Sequence, residues 1–127
     1  MAWANKGANG LNMFEETKTL PGSATTGYST EIDFLKISRD TNNKYVSLLV
    51  NCSAVSGTNV DIALYGAMTS GGDKFLLLDA VVADVTTGVV KGGVFDLNAY
   101  PAPYYYIAYT TDADEDANTI TMTVFAS

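Results

Sequence analysis

An all-β antiparallel sandwich is the fold class this sequence predicts, on three observations. Short runs with strict apolar/polar alternation recur at intervals of about ten residues. Clusters rich in Gly, Ser, Asn and Asp separate them, and no segment carries the 3.6-residue period of an amphipathic helix. The 127 residues suit one domain, and a hydrophobic share of 47% against 17% charged is enough to build one core. The expected architecture is a jelly-roll or immunoglobulin-like sandwich of about eight strands, preceded by an extended N-terminal arm.

Residues 1–14 read as the arm and 15–127 as the sandwich. The arm is rich in Asn, Gly and Ala, with Trp3, Leu11, Met13 and Phe14 as its apolar content. A large ring in water is unfavourable, so Trp3 either folds back over its own domain or docks on a neighbour. Pro21-Gly22-Ser23 and Thr25-Thr26-Gly27 are loop or edge-strand signals. Ser29–Ser38 is a strand candidate with a change of face near Phe34, and Arg39–Asn43 is a polar turn.

The clearest hairpin spans Tyr45–Met68. Val46, Leu48, Val50, Cys52 and Ala54 share one face. Tyr45, Ser47, Asn51 and Ser53 share the other, where Leu49 is an apolar intruder. After the turn at Ser56-Gly57-Thr58-Asn59, Val60, Ile62, Leu64 and Met68 alternate with Asp61, Ala63, Tyr65 and Ala67. Val46, Leu48, Val50, Cys52, Val60, Ile62 and Leu64 are the expected centre of the core.

Ser70-Gly71-Gly72-Asp73 is a further turn before a strand over Phe75–Val82. Gly92-Gly93 reads as a turn before a short strand over Val94–Leu97. Tyr100-Pro101-Ala102-Pro103 is stiff and extended, and Tyr104–Thr111 is a strand with aromatic residues on both faces. Asp112–Asn118 is an acidic turn. In the last strand, Thr119–Ala126, Ile120, Met122 and Val124 face one way.

Composition excludes several chemistries. The net charge is −7, and all seven basic residues lie at or before Lys91, so direct nucleic-acid binding is not expected. The absence of histidine removes the Ser-His-Asp arrangement and most catalytic zinc sites. Cys52 is the only cysteine, which rules out an internal disulfide, and it reads as a buried thiol. The longest greasy stretch, Phe75–Val85, is short and interrupted by Asp79 and Asp84, so no membrane span is expected, and Met1–Gly7 lacks the apolar region of a secretory signal. Neither an enzymatic activity nor a cofactor is expected.

Two clusters remain. Asp112, Asp114 and Asp116 alternate like the start of a calcium loop, but Ala117 stands where such a loop has its sharp-turn glycine and Thr123 where its last ligand falls. A solvated acidic hairpin tip is the competing reading. Tyr104, Tyr106 and their neighbours suit sheet packing plus an oligomer contact better than a ligand platform.

The order Val46-Ser47-Leu48-Leu49-Val50, Ser56-Gly57-Thr58, Gly71-Gly72-Asp73-Lys74-Phe75, Pro103-Tyr104-Tyr105-Tyr106 and Asn118-Thr119-Ile120-Thr121-Met122-Thr123-Val124 resembles the small β-sandwich virion proteins of tailed bacteriophages. The resemblance covers about residues 28 to 126 and consists of turns and alternation, with no catalytic signature. It implies a structural role in the virion, most similar to a capsid decoration (cement) protein. It also implies assembly in the host cytoplasm, the major capsid protein or another virion protein as partner, and a homo-oligomer, with a trimer favoured. Contact residues under this reading are Trp3, Met13, Phe14, Tyr104 and Tyr106. A tail, neck or fibre module, or a carbohydrate- or calcium-dependent binding module, are the alternatives.

Overall fold

The structure is a computed structural model, and it describes residues 3–5, 13–32 and 45–126. The second half of the strand expected over Ser29–Ser38, and the turn expected after it, lie outside the described residues. The strands are β1 (Ala4–Asn5), β2 (Met13–Thr19), β3 (Thr26–Tyr28), β4 (Tyr45–Cys52), β5 (Val60–Ala67), β6 (Lys74–Val85), β7 (Lys91–Asp96), β8 (Tyr104–Thr111) and β9 (Thr119–Ala126). No helix occurs among the described residues.

Two antiparallel sheets stack on one another. Sheet A has the order β1-β2-β9-β4-β7 and sheet B the order β3-β8-β5-β6. The pairs β2–β9, β3–β8, β4–β7 and β5–β6 nest one inside the next. The chain is thus one long hairpin, folded back at the turn between β5 and β6 and rolled into two layers. That nesting makes the sandwich a jelly roll rather than an immunoglobulin-like one.

Alternation places the core as the sequence predicts. Val46, Leu48, Val50, Cys52, Val60, Ile62 and Leu64 are all fully buried, and Ile120, Met122 and Val124 complete the layer from β9. Each inward residue of β4 lies beside one of β9: Leu48 opposite Val124, Val50 opposite Met122, Cys52 opposite Ile120. A one-residue slip would turn all of these to water, so burial fixes the register.

Three features differ from expectation. Met68 is exposed, because β5 ends at Ala67 and Gly66 occupies the last inward position. Gly92-Gly93 is not a turn but lies inside β7, opposite Leu49 and Leu48. The reason is close approach. A Cβ at Gly93 would collide with the Val81 carbonyl oxygen of β6, and one at Gly92 would come within 2.9 Å of Leu49 Cδ2. Bare backbone there lets β6 and β7, the edge strands of the two sheets, touch along one side. Thirdly, β2 forms a strand deep in sheet A, and its Glu16 faces inward opposite Met122.

β6 reaches β7 by bending. Its pairing with β5 shifts register three times, and Ala80 and Asp84 adopt positive φ. Ala117, in the turn before β9, has φ 64°, a left-handed conformation that costs an alanine about 1–2 kcal/mol. We expect Ala117→Gly to stabilise the fold by about 0.5–1 kcal/mol, raising Tm by a few degrees in thermal unfolding. Ala63→Gly, in ordinary extended backbone, should lower stability by a similar amount.

Candidate functional site

At one pole of the sandwich the chain crosses between sheets four times: β2 to β3, β4 to β5, β6 to β7 and β8 to β9. The acidic segment Asp112–Asn118 lies there. Three of its carboxylates, on Asp112, Asp114 and Glu115, accept backbone N–H groups. Glu115 is completely buried. Its Oε1 accepts from the Ser56 N–H at 2.7 Å and from Asn118 Nδ2 at 3.1 Å, and its Oε2 accepts from the Gly57 N–H at 3.0 Å. Asp112 accepts the Thr58 N–H at 3.1 and 3.2 Å. The Ser56-Gly57-Thr58 turn therefore wraps its three successive N–H groups around two carboxylates. Gly57 is needed for space, since a Cβ there would collide with the Asp112 carboxylate.

The other crossovers join the same pole. The Glu115 N–H donates to Pro21 O at 3.2 Å. The Val55 N–H donates to Thr87 Oγ1 at 2.8 Å and the Gly88 N–H to Cys52 O at 2.9 Å. Asp114 Oδ1 accepts the Asp116 N–H at 3.2 Å, a local turn. The weak metal candidates Asp112, Asp114 and Asp116 do not converge, and no group of three potential metal-binding side chains occurs among the described residues.

Burial pushes the Glu115 carboxyl up, but the Ser56 and Gly57 N–H groups and the Asn118 amide outweigh it and hold the pKa below the usual carboxylate value. Burial, with the Glu115 charge nearby, pushes the Cys52 thiol up to about 11, so this thiol is not a nucleophile near neutrality.

The Tyr-rich strand β8 divides its rings between the two faces. Tyr105 and Tyr109 enter the core. Tyr104 and Tyr106 lie on the outer face of sheet B. Tyr106 is nonetheless buried: Lys74 Nζ sits 4.5 Å above its ring, and its hydroxyl donates to Glu31 Oε1 at 2.9 Å. The same ammonium lies 5.0 Å from the Tyr28 ring, which meets Tyr65 edge-on at 5.4 Å. Glu31 also accepts from Ser70 Oγ and the Gly71 N–H, tying down the β5–β6 turn.

The residues of the arm separate. Trp3 packs against the core, and its Nε1 donates to Thr30 O at 2.9 Å, while Glu16 Oε1 accepts the Thr30 N–H at 2.8 Å. The second oxygen of Glu16 has no hydrogen-bond partner among the described residues. Phe14 also packs against the core. Met13 lies on the outer face of sheet A, opposite Phe125. The five expected contact residues thus occupy three places: Trp3 and Phe14 inside, Met13 outside sheet A, Tyr104 and Tyr106 outside sheet B.

Sequence reasoning missed two exposed apolar sets, one at Met68, Phe75 and Leu76 on the β5–β6 side and one on the outer face of sheet A. Met13, Phe125, Ser47 and Val94 form one cross-strand row over β2, β9, β4 and β7. Leu49 lies beside it and leans over Gly92, while Val94, Val90 and Tyr45 are more than half exposed. Leu49 on an otherwise polar face was the signal available in the sequence. A solvated antiparallel face is ordinarily polar, so Leu49 and Val94 depart from the usual pattern of such a face.

Jelly roll is therefore the class of protein that this chain represents by its own strand pairing. No protein-family model matches the sequence, and no curated protein sequence matches it significantly. Among solved structures, the chain is similar to a protein of tomato aspermy virus, with TM-score 0.44 and 13% identity over 95% of this chain and 79% of that one. It is similar to the SPBc2 prophage-derived protein YomS, with TM-score 0.43 and 13% identity over 97% and 100% of the two chains. The tobacco streak virus coat protein, solved as a dimer, gives TM-score 0.36 and 16% identity over 95% and 89%.

Glu115 sets an expected pH response. A carboxyl whose folded pKa lies below its unfolded value of 4.5 contributes stability that is present above pH 4.5 and lost as pH falls through the folded value. Melting temperature should therefore fall on acidification below about pH 4.5. Glu115→Gln presents an NH₂ to one of the two backbone N–H donors. It should cost about 1–3 kcal/mol at pH 7, read by urea unfolding, and flatten the acid limb. Calcium should leave Tm unchanged in a titration, because Asp112 and Asp114 are engaged by backbone amides; a native-state ligand would raise Tm by mass action.

Proposed function

We propose that the protein is a structural component of a bacteriophage virion and acts as a decoration (cement) protein on a shell of major capsid protein. The observation that carries this reading is the exposed apolar side chains of Tyr45, Leu49 and Val94 on the outer face of sheet A. A fold of this kind serves many functions, so the surface, and not the sandwich, has to indicate the role. Here Glu115 and Asp112 serve the loops, the thiol is buried, and exposed apolar side chains on the outer face of sheet A suit protein contact.

In this reading the protein acts by surface contact and not by catalysis. Its acidic pole repels nucleic acid, so its place is on the outside of a protein shell. The turn-and-strand resemblance to phage sandwich proteins supports the same class, with the virion as location and the host cytoplasm as place of assembly. The trimer is what the resemblance implies for copies of the chain. A tail, neck or fibre module would use the same fold and differ in number.

Copy number tests the proposal. Quantitative mass spectrometry of purified particles should find this chain in hundreds of copies, on the scale of the shell subunits. A few copies per particle would move it to the tail or neck, and its absence from particles would remove the virion reading.

A further inference from the structure

We infer that Trp3-Ala4-Asn5 is a strap that opens and closes while the rest of the sandwich stays folded, and that the buried carboxylate beneath it, on Glu16, opposes its closing.

The strap is held by little. β1 pairs through two residues, Ala4 opposite Glu15 and Asn5 opposite Phe14, whereas β2 and β9 pair over the whole of Met13–Thr19. One step further along the same register, Trp3 stands beside Glu16. The indole packs against the core, and its Nε1 donates to Thr30 O at 2.9 Å. The Thr30 N–H in turn donates to Glu16 Oε1 at 2.8 Å. Thr30 thus links the ring to the carboxylate through its own backbone. Segments that open below the free energy of global unfolding have this character, a short ladder and few buried contacts.

What lies beneath works against closure. Glu16 is 1% exposed, and its Oε2 has no hydrogen-bond partner among the described residues. Across the ladder it meets Met122. The Tyr109 hydroxyl, which its charge reaches, donates instead to Tyr28 O at 3.3 Å. A carboxylate shut away from water with one oxygen unpaired is costly. Swinging the strap out lets water reach that oxygen, and swinging it in buries the indole, which is favourable. The two effects oppose each other at one spot. In β4 and β9, by contrast, apolar burial and ladder hydrogen bonds act together. Opening also bares the edge of β2 that Ala4 and Asn5 otherwise occupy.

The inference concerns the single chain and stands apart from the virion reading: copy number in particles tests that one, and exchange at the strap tests this one. Trp3 is the one tryptophan of the chain, so its indole N–H gives a single signal by NMR. In the full chain at neutral pH, after correction for intrinsic rates, the Trp3 Nε1–H and the Thr30 N–H should exchange at least about a hundredfold faster than the β4 and β9 ladder amides. Glu16→Gln removes the charge and keeps an acceptor for the Thr30 N–H. It should slow both strap protons by about tenfold or more. Glu15→Gln makes the same change of charge at the neighbouring position on the other face of β2, and should leave both rates as they are. Trp3→Ala should release the Thr30 N–H while the β4 and β9 amides stay protected. Strap protons that exchange only as slowly as the ladder amides would overturn the proposal. So would strap rates unmoved by Glu16→Gln, a Glu16→Gln chain that does not fold, or loss of ladder protection in Trp3→Ala.

Discussion

The buried carboxylate of Glu115 is the interaction on which the two-layer arrangement depends. The jelly roll joins its sheets by four crossovers at one pole, and crossovers carry backbone groups that no strand ladder satisfies. Glu115 and Asp112, from the loop between β8 and β9, accept the three N–H groups of the loop between β4 and β5. The Glu115 N–H reaches the loop between β2 and β3. Thr87 links the fourth crossover to Val55. An acidic run that looks like surface charge is thus an internal fastener, with the ion buried because its hydrogen bonds exceed its desolvation cost.

Beyond that pole, each sheet presents an outer face. On the outer face of sheet B, Lys74 lies over Tyr106 and Tyr28, and Glu31 holds the Tyr106 hydroxyl and the β5–β6 turn, while Leu76 opposite Tyr65 stays half exposed. On the outer face of sheet A, Leu49 and Val94 meet water, while Ser47 beside them is buried. Tyrosine density, the most visible feature of the sequence, divides between the core, with Tyr105 and Tyr109, and the outer face of sheet B, with Tyr104 and Tyr106.

Much of the fold was legible because β4, β5, β8 and β9 bury one face and expose the other, and period-2 alternation records this directly. What was not legible depends on distant neighbours. Gly92-Gly93 carries the local signature of a turn, yet it is a strand where β6 crosses close to β7; nothing near it in sequence states that demand. β2 is hidden because its inward positions include Glu16, a charge that breaks the alternation and caps Thr30 across the sandwich. Leu49 was visible as an exception, but its meaning came only when Val94 and Phe125 were placed beside it. The Ser56-Gly57-Thr58 turn was visible too, while its partners lie more than fifty residues away.

Amide hydrogen exchange at Ser56, Gly57 and Thr58 tests the central claim most directly. These three N–H groups lie in a loop, where unpartnered amides exchange readily. If carboxylates hold them, then at neutral pH, after correction for intrinsic rates, their protection should come within about tenfold of the β4 and β9 ladder amides. It should fall selectively in Glu115→Gln. Free exchange at the three positions in an otherwise protected wild-type protein would contradict the account.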